Sequence, residues 1–169
     1  MSVTYPFVSV VIATRDRGDR IVQTIDSLLA NQYPAFEIRV VDQSNDTSCQ
    51  LAMQQYAAEP RVIYQLSLSV GMARARNIAI AQSKSDLIAI TDDDCVVSPQ
   101  WIESIATTFT MYPKVTMLFG NVLPGQHDPA IGFIPTYCRN RLKIVSNPLN
   151  KPQVDGLGAC MAMRKRVWE

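Results

Sequence analysis

Three consecutive carboxylates, Asp92, Asp93 and Asp94, follow directly on the apolar run Leu87-Ile88-Ala89-Ile90-Thr91. So much negative charge at the end of a strand calls for a cation. On an extended backbone alternate side chains share a side, so Asp92 and Asp94 would point one way, spaced to share a metal, and Asp93 the other. Hard oxygen donors select Mg²⁺ or Mn²⁺ over zinc. Mg²⁺ sites use one or two carboxylates and leave the other positions to phosphate oxygens and water. That arrangement suits a nucleoside diphosphate. The competing reading is an acidic turn capping the helix that starts around Pro99-Gln100-Trp101-Ile102.

Two further polar clusters follow apolar runs in the same way, Thr14-Arg15-Asp16-Arg17 and Asp42-Gln43-Ser44-Asn45-Asp46. Asp42 is suited to accept a hydrogen bond from a nucleobase imide or ribose hydroxyls, or else to cap the helix that starts near Thr47. Arg15 and Arg17 can reach phosphates or solvate a surface loop, and solvation is the expectation for Arg17. Gly71 opens a helix carrying Arg74 and Arg76, which lie two apart and cannot share a face, so one is expected at the site and the other in solvent.

The elements that must position these residues alternate. Phe7 to Ala13 is a near-continuous apolar run of the kind buried on both faces of a parallel sheet, and Ile21, Ile25, Leu28 and Leu29 then recur at helical spacing. The pattern continues with a strand over 36–41, a helix over 47–57, a strand over 61–65, a helix over 70–82 and a strand over 86–91. A helix face at Ile102, Ile105, Ala106 and Phe109 and a strand over 115–122 follow. Such alternation predicts right-handed crossovers and an open parallel sheet with ligands bound beyond the carboxyl ends of the strands, where all three polar clusters would meet. Leu123 to Pro152 carries five prolines and no sustained period, and predicts a long irregular segment across that edge. Gly156 and Gly158 then precede a short strand over 160–164.

The 169 residues fit one domain, and 47% hydrophobic content argues against disorder. Sixteen basic and fifteen acidic residues leave a formal charge of +1, which gives no bulk reason to expect nucleic acid or an anionic membrane as partner. Four widely spaced cysteines and one histidine make a zinc site or disulfide framework improbable and favour a cytoplasmic setting. No apolar run reaches membrane-spanning length, and no signal peptide is recognisable.

Together these motifs resemble the nucleotide-binding part of a family 2 inverting glycosyltransferase with the GT-A fold. The matching residues are Val8 through Arg17, Val40 through Asp46, Gly71 through Asn77, Asp92-Asp93-Asp94, and Gly158-Ala159-Cys160 with Arg164-Lys165, in the family's order. The resemblance implies a Rossmann-like, open, mostly parallel sheet with helices on both faces. It divides the single domain into a nucleotide-binding part over 1–97 and the start of an acceptor part over 98–169. It places Thr14, Arg15, Asp42, Arg76 and Asp93 on the nucleotide, Asp92 and Asp94 on Mg²⁺ or Mn²⁺, and Gly158 and Ala159 beside donor sugar and acceptor. The implied reaction is metal-assisted transfer of a sugar, by default from a UDP-sugar with GDP- and dTDP-sugars as alternatives. The acceptor is an unknown saccharide, lipid-linked or other molecule, in a setting such as cell-surface polysaccharide biosynthesis at the inner face of a membrane.

Two departures qualify the resemblance. Gln43 stands where an acidic or similar polar residue is common. The Glu-Asp pair that supplies the family's general base would lie beyond Glu169, so the chain reads as C-terminally truncated, with Asp155 as the one carboxylate late in the sequence to weigh as base. The alternative to an enzyme is a non-catalytic nucleotide-sugar-binding module. Uncovered apolar surface around Met161, Met163 and Trp168 would favour self-association.

Overall fold

A computed structural model describes residues 5–128, 130–146 and 154–169. Strands β1 (Val8–Thr14), β2 (Phe36–Asp42), β3 (Val62–Leu66) and β4 (Leu87–Thr91) are followed in turn by helices α1 (Ile21–Leu29), α2 (Ser48–Met53), α3 (Met72–Gln82) and α4 (Trp101–Met111). β5 (Met117–Phe119) and β6 (Cys160–Arg164) complete a six-stranded sheet of order β3-β2-β1-β4-β6-β5. The first four strands are parallel, and β6 runs antiparallel to both neighbours, which makes the sheet mixed.

Both faces of the sheet are packed, and side-chain alternation sorts residues between them. Val8, Val10 and Ile12 of β1 join Phe36, Ile38 and Val40 of β2 under α1, α2 and α4, which contribute Ile25, Leu28, Cys49, Ile102 and Phe109. Val11, Val41, Ile88, Ile90 and Met163 meet Ala75, Ala79 and Ile80 of α3 on the other face. Small alanines on α3 let that helix sit close to the strands. Because each fully buried aliphatic side chain contributes about 1.5–3 kcal/mol, the two-sided β1 and β2 form the anchored centre of the molecule.

Helix ends are tied by side chains. Asn31 Oδ1 accepts from the Ile102 N–H at the start of α4, and Arg164 donates to the Phe109 carbonyl in its last turn and to the Val115 carbonyl beyond it. Lys165 Nζ caps α3 by donating to the Ala81 and Ser83 carbonyls.

Several expectations need correcting. The helix expected over 47–57 stops at Met53 and tightens into a 3₁₀ turn over Gln54–Tyr56. The strand expected over 115–122 is only Met117–Phe119. Beyond it the Gly120 N–H still bonds Cys160, but Val122 pairs with Tyr137 instead of with β6. The segment expected to be irregular over 123–152 includes position 129 and residues 147–152, which lie outside the described residues. Of the residues expected to be uncovered, Met163 is buried against α3, Met161 is half-buried, and Trp168 is partly exposed while donating to Asn77; larger apolar exposure lies at Leu68, Leu123, Ile131 and Phe133.

Candidate functional site

The carboxyl ends of β1, β2 and β4 surround a cavity of about 390 Å³, lined by Ala13, Thr14, Arg15, Arg17, Gln43, Gly71, Met72 and Asp92 to Asp94. Parallel register creates it. Val8 of β1 pairs with Phe36 and with Leu87, so the three strands march together and deliver Thr14, Asp42 and the acidic turn to one edge. β4 itself ends at Thr91, and the three aspartates form a turn rather than an extension of the strand.

Within that turn the carboxylates divide. Asp93 is buried and accepts from Thr14 Oγ1 at 2.6 Å, with Arg17 at 3.4 Å. Burial pushes its carboxyl above the usual range, the Thr14 and Arg17 contacts oppose that shift, and the adjacent Asp94 and Asp92 add to it. Asp92 and Asp94 approach Cys95, the three ligand atoms lying within 4.8 Å of one another. Burial also raises the Cys95 thiol, against the lowering influence of the Asp92 backbone and Thr91. Two hard carboxylates dominate this cluster, a donor chemistry suited to a hard divalent cation.

Arginines balance this charge. Arg76 donates to Asp92 at 2.5 Å, while Arg74 on the same helix is exposed. Arg17 bonds Asp94 and reaches Asp93, which corrects the expectation of a solvated side chain. Three carboxylates at one sheet edge demand counter-charge, a signal in the sequence from which a role for Arg17 could have been read. Arg15 lines the cavity and pairs with Asp16 at 3.3 Å.

Asp42 is fully buried beneath this surface and is not among the lining residues. Its Oδ1 accepts from the Ser44 N–H and hydroxyl, and its Oδ2 from the Tyr64 hydroxyl at 2.7 Å. It does not cap α2: the cap residue is Thr47, which makes no side-chain cap bond, and Asp46 just before it accepts from the Ser48 N–H. Gln43, its neighbour, faces the cavity.

β6 closes the far side. Cys160 pairs with Thr91, so Ala159 and Gly158 continue alongside the acidic turn, and a Cβ on Gly158 would stand 3.5 Å from Arg76 Nη1. Gly156 is required by close packing on Phe119, which any Cβ would strike. Asp155 is outside the cavity lining, exposed, and bound by Arg139 at 2.7 and 2.5 Å. Those charged hydrogen bonds hold its carboxyl below the usual range.

Comparison with known proteins agrees with this arrangement. The family profile described as "Glycosyl transferase family 2" matches residues 9–169. The chain belongs to that family. Glycosyltransferase AglE of Haloferax volcanii is 32% identical over 126 residues, covering 72% of this chain and 41% of AglE. Among solved structures, S. aureus TarS 1-349 superposes with a TM-score of 0.76 at 18% identity, covering 95% of this chain and 48% of TarS. In its complex with UDP-GlcNAc the same protein gives 0.61 at 21% identity, covering 70% of this chain and 37% of that one. Mannosyltransferase PcManGT from Pyrobaculum calidifontis, in complex with GDP-Man and Mn²⁺, gives 0.67 at 18% identity, covering 97% of this chain and 46% of PcManGT. These likenesses give the family 2 chain the GT-A fold. It spans less than half the length of each of these proteins. No helix among its described residues is long and apolar enough to cross a membrane.

Proposed function

We propose that the cavity binds a nucleoside-diphosphate sugar and that the chain forms the donor side of a metal-assisted, inverting glycosyl transfer. The observation that carries this reading is the acidic turn. Asp92 and Asp94 converge at the wall of a cavity also lined by the Asp93 carboxyl and the guanidiniums of Arg15 and Arg17, with Arg76 held on Asp92. A Mg²⁺ or Mn²⁺ ion held by those two carboxylates would neutralise the diphosphate and stabilise it as leaving group. Arg17 and Arg76 add fixed positive charge where the diphosphate would lie, and Thr14 and Arg17 hold Asp93 facing the ribose or donor sugar.

The nucleoside would extend toward Arg15 and the ends of β1 and β2. Asp42 lies buried beneath this end of the cavity, held by Ser44 and Tyr64, and would accept from the base only in exchange for one of those partners. UDP is the default donor nucleotide, in keeping with the TarS complex, and the PcManGT complex makes GDP the first alternative. Gly158 and Ala159 stand beside the donor sugar and the approach of the acceptor, a saccharide or lipid-linked molecule. Asp155, neutralised by Arg139, is not the base in this reading.

The test is calorimetric titration of UDP, GDP and dTDP with and without Mn²⁺. Tight binding of one diphosphate that depends on Mn²⁺ supports the reading, and metal-independent or absent binding of all three overturns it. Donor hydrolysis and transfer assays then distinguish an enzyme from a binding module.

A further inference from the structure

The side chain of Gln43 joins two parts of the cavity that are distant in sequence. Its Oε1 accepts from the Gly71 N–H at 3.1 Å, and its Nε2 donates to Ser69 Oγ at 2.8 Å. A backbone N–H can only donate, so the amide oxygen must face Gly71 and the amide nitrogen must face Ser69. The residue is 5% exposed, and its own N–H bonds the Thr14 carbonyl at 2.9 Å. Its anchor is therefore the rigid centre of the sheet.

What it holds is a connection of little intrinsic order. From the end of β3 to the start of α3 the chain exposes Leu66, Leu68, Val70 and Met72, with Leu68 98% exposed, so apolar burial does not fix this path. The path is fixed instead by polar contacts. Ser67 N–H bonds the Asp42 carbonyl, Ser67 and Ser69 share a hydroxyl contact at 2.8 Å, and Gln43 completes the set. Gly71 adopts φ +117°, a conformation open to glycine, immediately before the helix that carries Arg76 to Asp92.

We propose that Gln43 is a positioning residue that latches the 67–71 loop, and with it Gly71 and the first turn of α3, onto the nucleotide cavity. The role rests on the cavity's being the nucleotide site, and it concerns the loop rather than a contact of Gln43 with ligand. Without the latch, the loop and first helical turn sample open positions, and the nucleotide must order them on binding. An acid at this position would keep the geometry, because Ser69 can reverse its hydroxyl and donate to it while accepting from Ser67.

Hydrogen exchange over residues 67–76 and titration with UDP and Mn²⁺ test the proposal together. Gln43→Met removes both hydrogen bonds at nearly constant volume. It is expected to speed exchange in 67–76 by about tenfold and weaken UDP by about five- to tenfold, with exchange in β1 and β4 unchanged. Gln43→Glu is expected to keep exchange within about twofold of the native protein, which a loss of packing alone would not restore. Ser69→Ala, lacking one arm, is expected to fall between them. Unchanged exchange in Gln43→Met overturns the latch, as does faster exchange with unaltered UDP affinity. If the native chain fails to bind UDP or another diphosphate, the function reading fails, while the exchange data still decide whether Gln43 orders the loop.

Discussion

Carboxylates meet arginines at both ends of the sheet, in contrasting ways. Near the amino ends, Glu37 and Arg39 of β2 form a pair with side chains only 5% and 10% exposed. One Glu37 oxygen accepts from Ser9, from Arg39 and from the Lys84 N–H, inside a wall of strand and helix. At the carboxyl ends, Asp94 and Arg17 pair in the open, with side chains 53% and 34% exposed. A sealed pair is hard to separate without unfolding its surroundings, whereas an open pair can exchange partners with an arriving cation or diphosphate. The same two functional groups are sealed in at one end and left accessible at the other.

Removing one member of the sealed pair gives the largest expected effect. Glu37→Ala leaves Arg39 buried without its partner and is expected to lower stability by about 3–5 kcal/mol in denaturant titration. Nucleotide affinity per folded molecule should stay unchanged, and a selective loss of affinity would erase the distinction between the two ends. Asp94→Ala reverses the pattern. It is expected to weaken Mn²⁺-dependent UDP binding on the order of 100-fold while shifting stability by less than about 1 kcal/mol, the ceiling for an exposed pair. Equal losses with and without Mn²⁺ would remove Asp94 from the metal.

Asp42→Asn presents an amide where a base imide needs an acceptor, and is expected to cost about 1–3 kcal/mol in nucleotide affinity. Ser44→Ala, which disturbs the same carboxylate without changing its charge, is the control. Similar losses in both variants would make Asp42 a support for its loop. The smallest effect concerns acid. Burial opposes ionisation of Glu37, but hydrogen bonds from Arg39, Lys84 and Ser9 prevail and depress its pKa in the folded state. Its contribution is therefore present above the unfolded glutamate pKa and lost as pH falls through the depressed folded value. Glu37→Gln should flatten that acid-side decline, and an unchanged pH profile would mean that other carboxylates govern it.

The first four strands were legible because burial on both faces forces continuous apolar runs, as in Val8 to Ala13. Parallel pairing then brought Thr14, Asp42 and the acidic turn to one edge without knowledge of any contact. The direction of β6 was not legible, since five residues of mixed hydrophobicity pair equally well either way and the long preceding segment imposes no crossover. Arg17 was misread because a cation in a polar loop carries no periodic signal, and its partners lie 76 and 77 positions away. Gln43 resembled a conservative replacement in sequence. Its importance rests on two partners, Ser69 and Gly71, that only the folded chain brings within reach.

The position of β6 between β4 and β5 also sets an order of assembly during synthesis. Both neighbours emerge from the ribosome well before it, so β4 waits with one edge unpaired and β5 waits with no strand to join. Exposed edges of that kind recruit other chains, and long-range pairings close slowly. The acidic turn at the end of β4 is thus flanked on both sides only when Cys160 docks opposite Thr91. A nascent chain can hold β1, β2 and β3 in register early, while the wall beside the acidic turn is completed later.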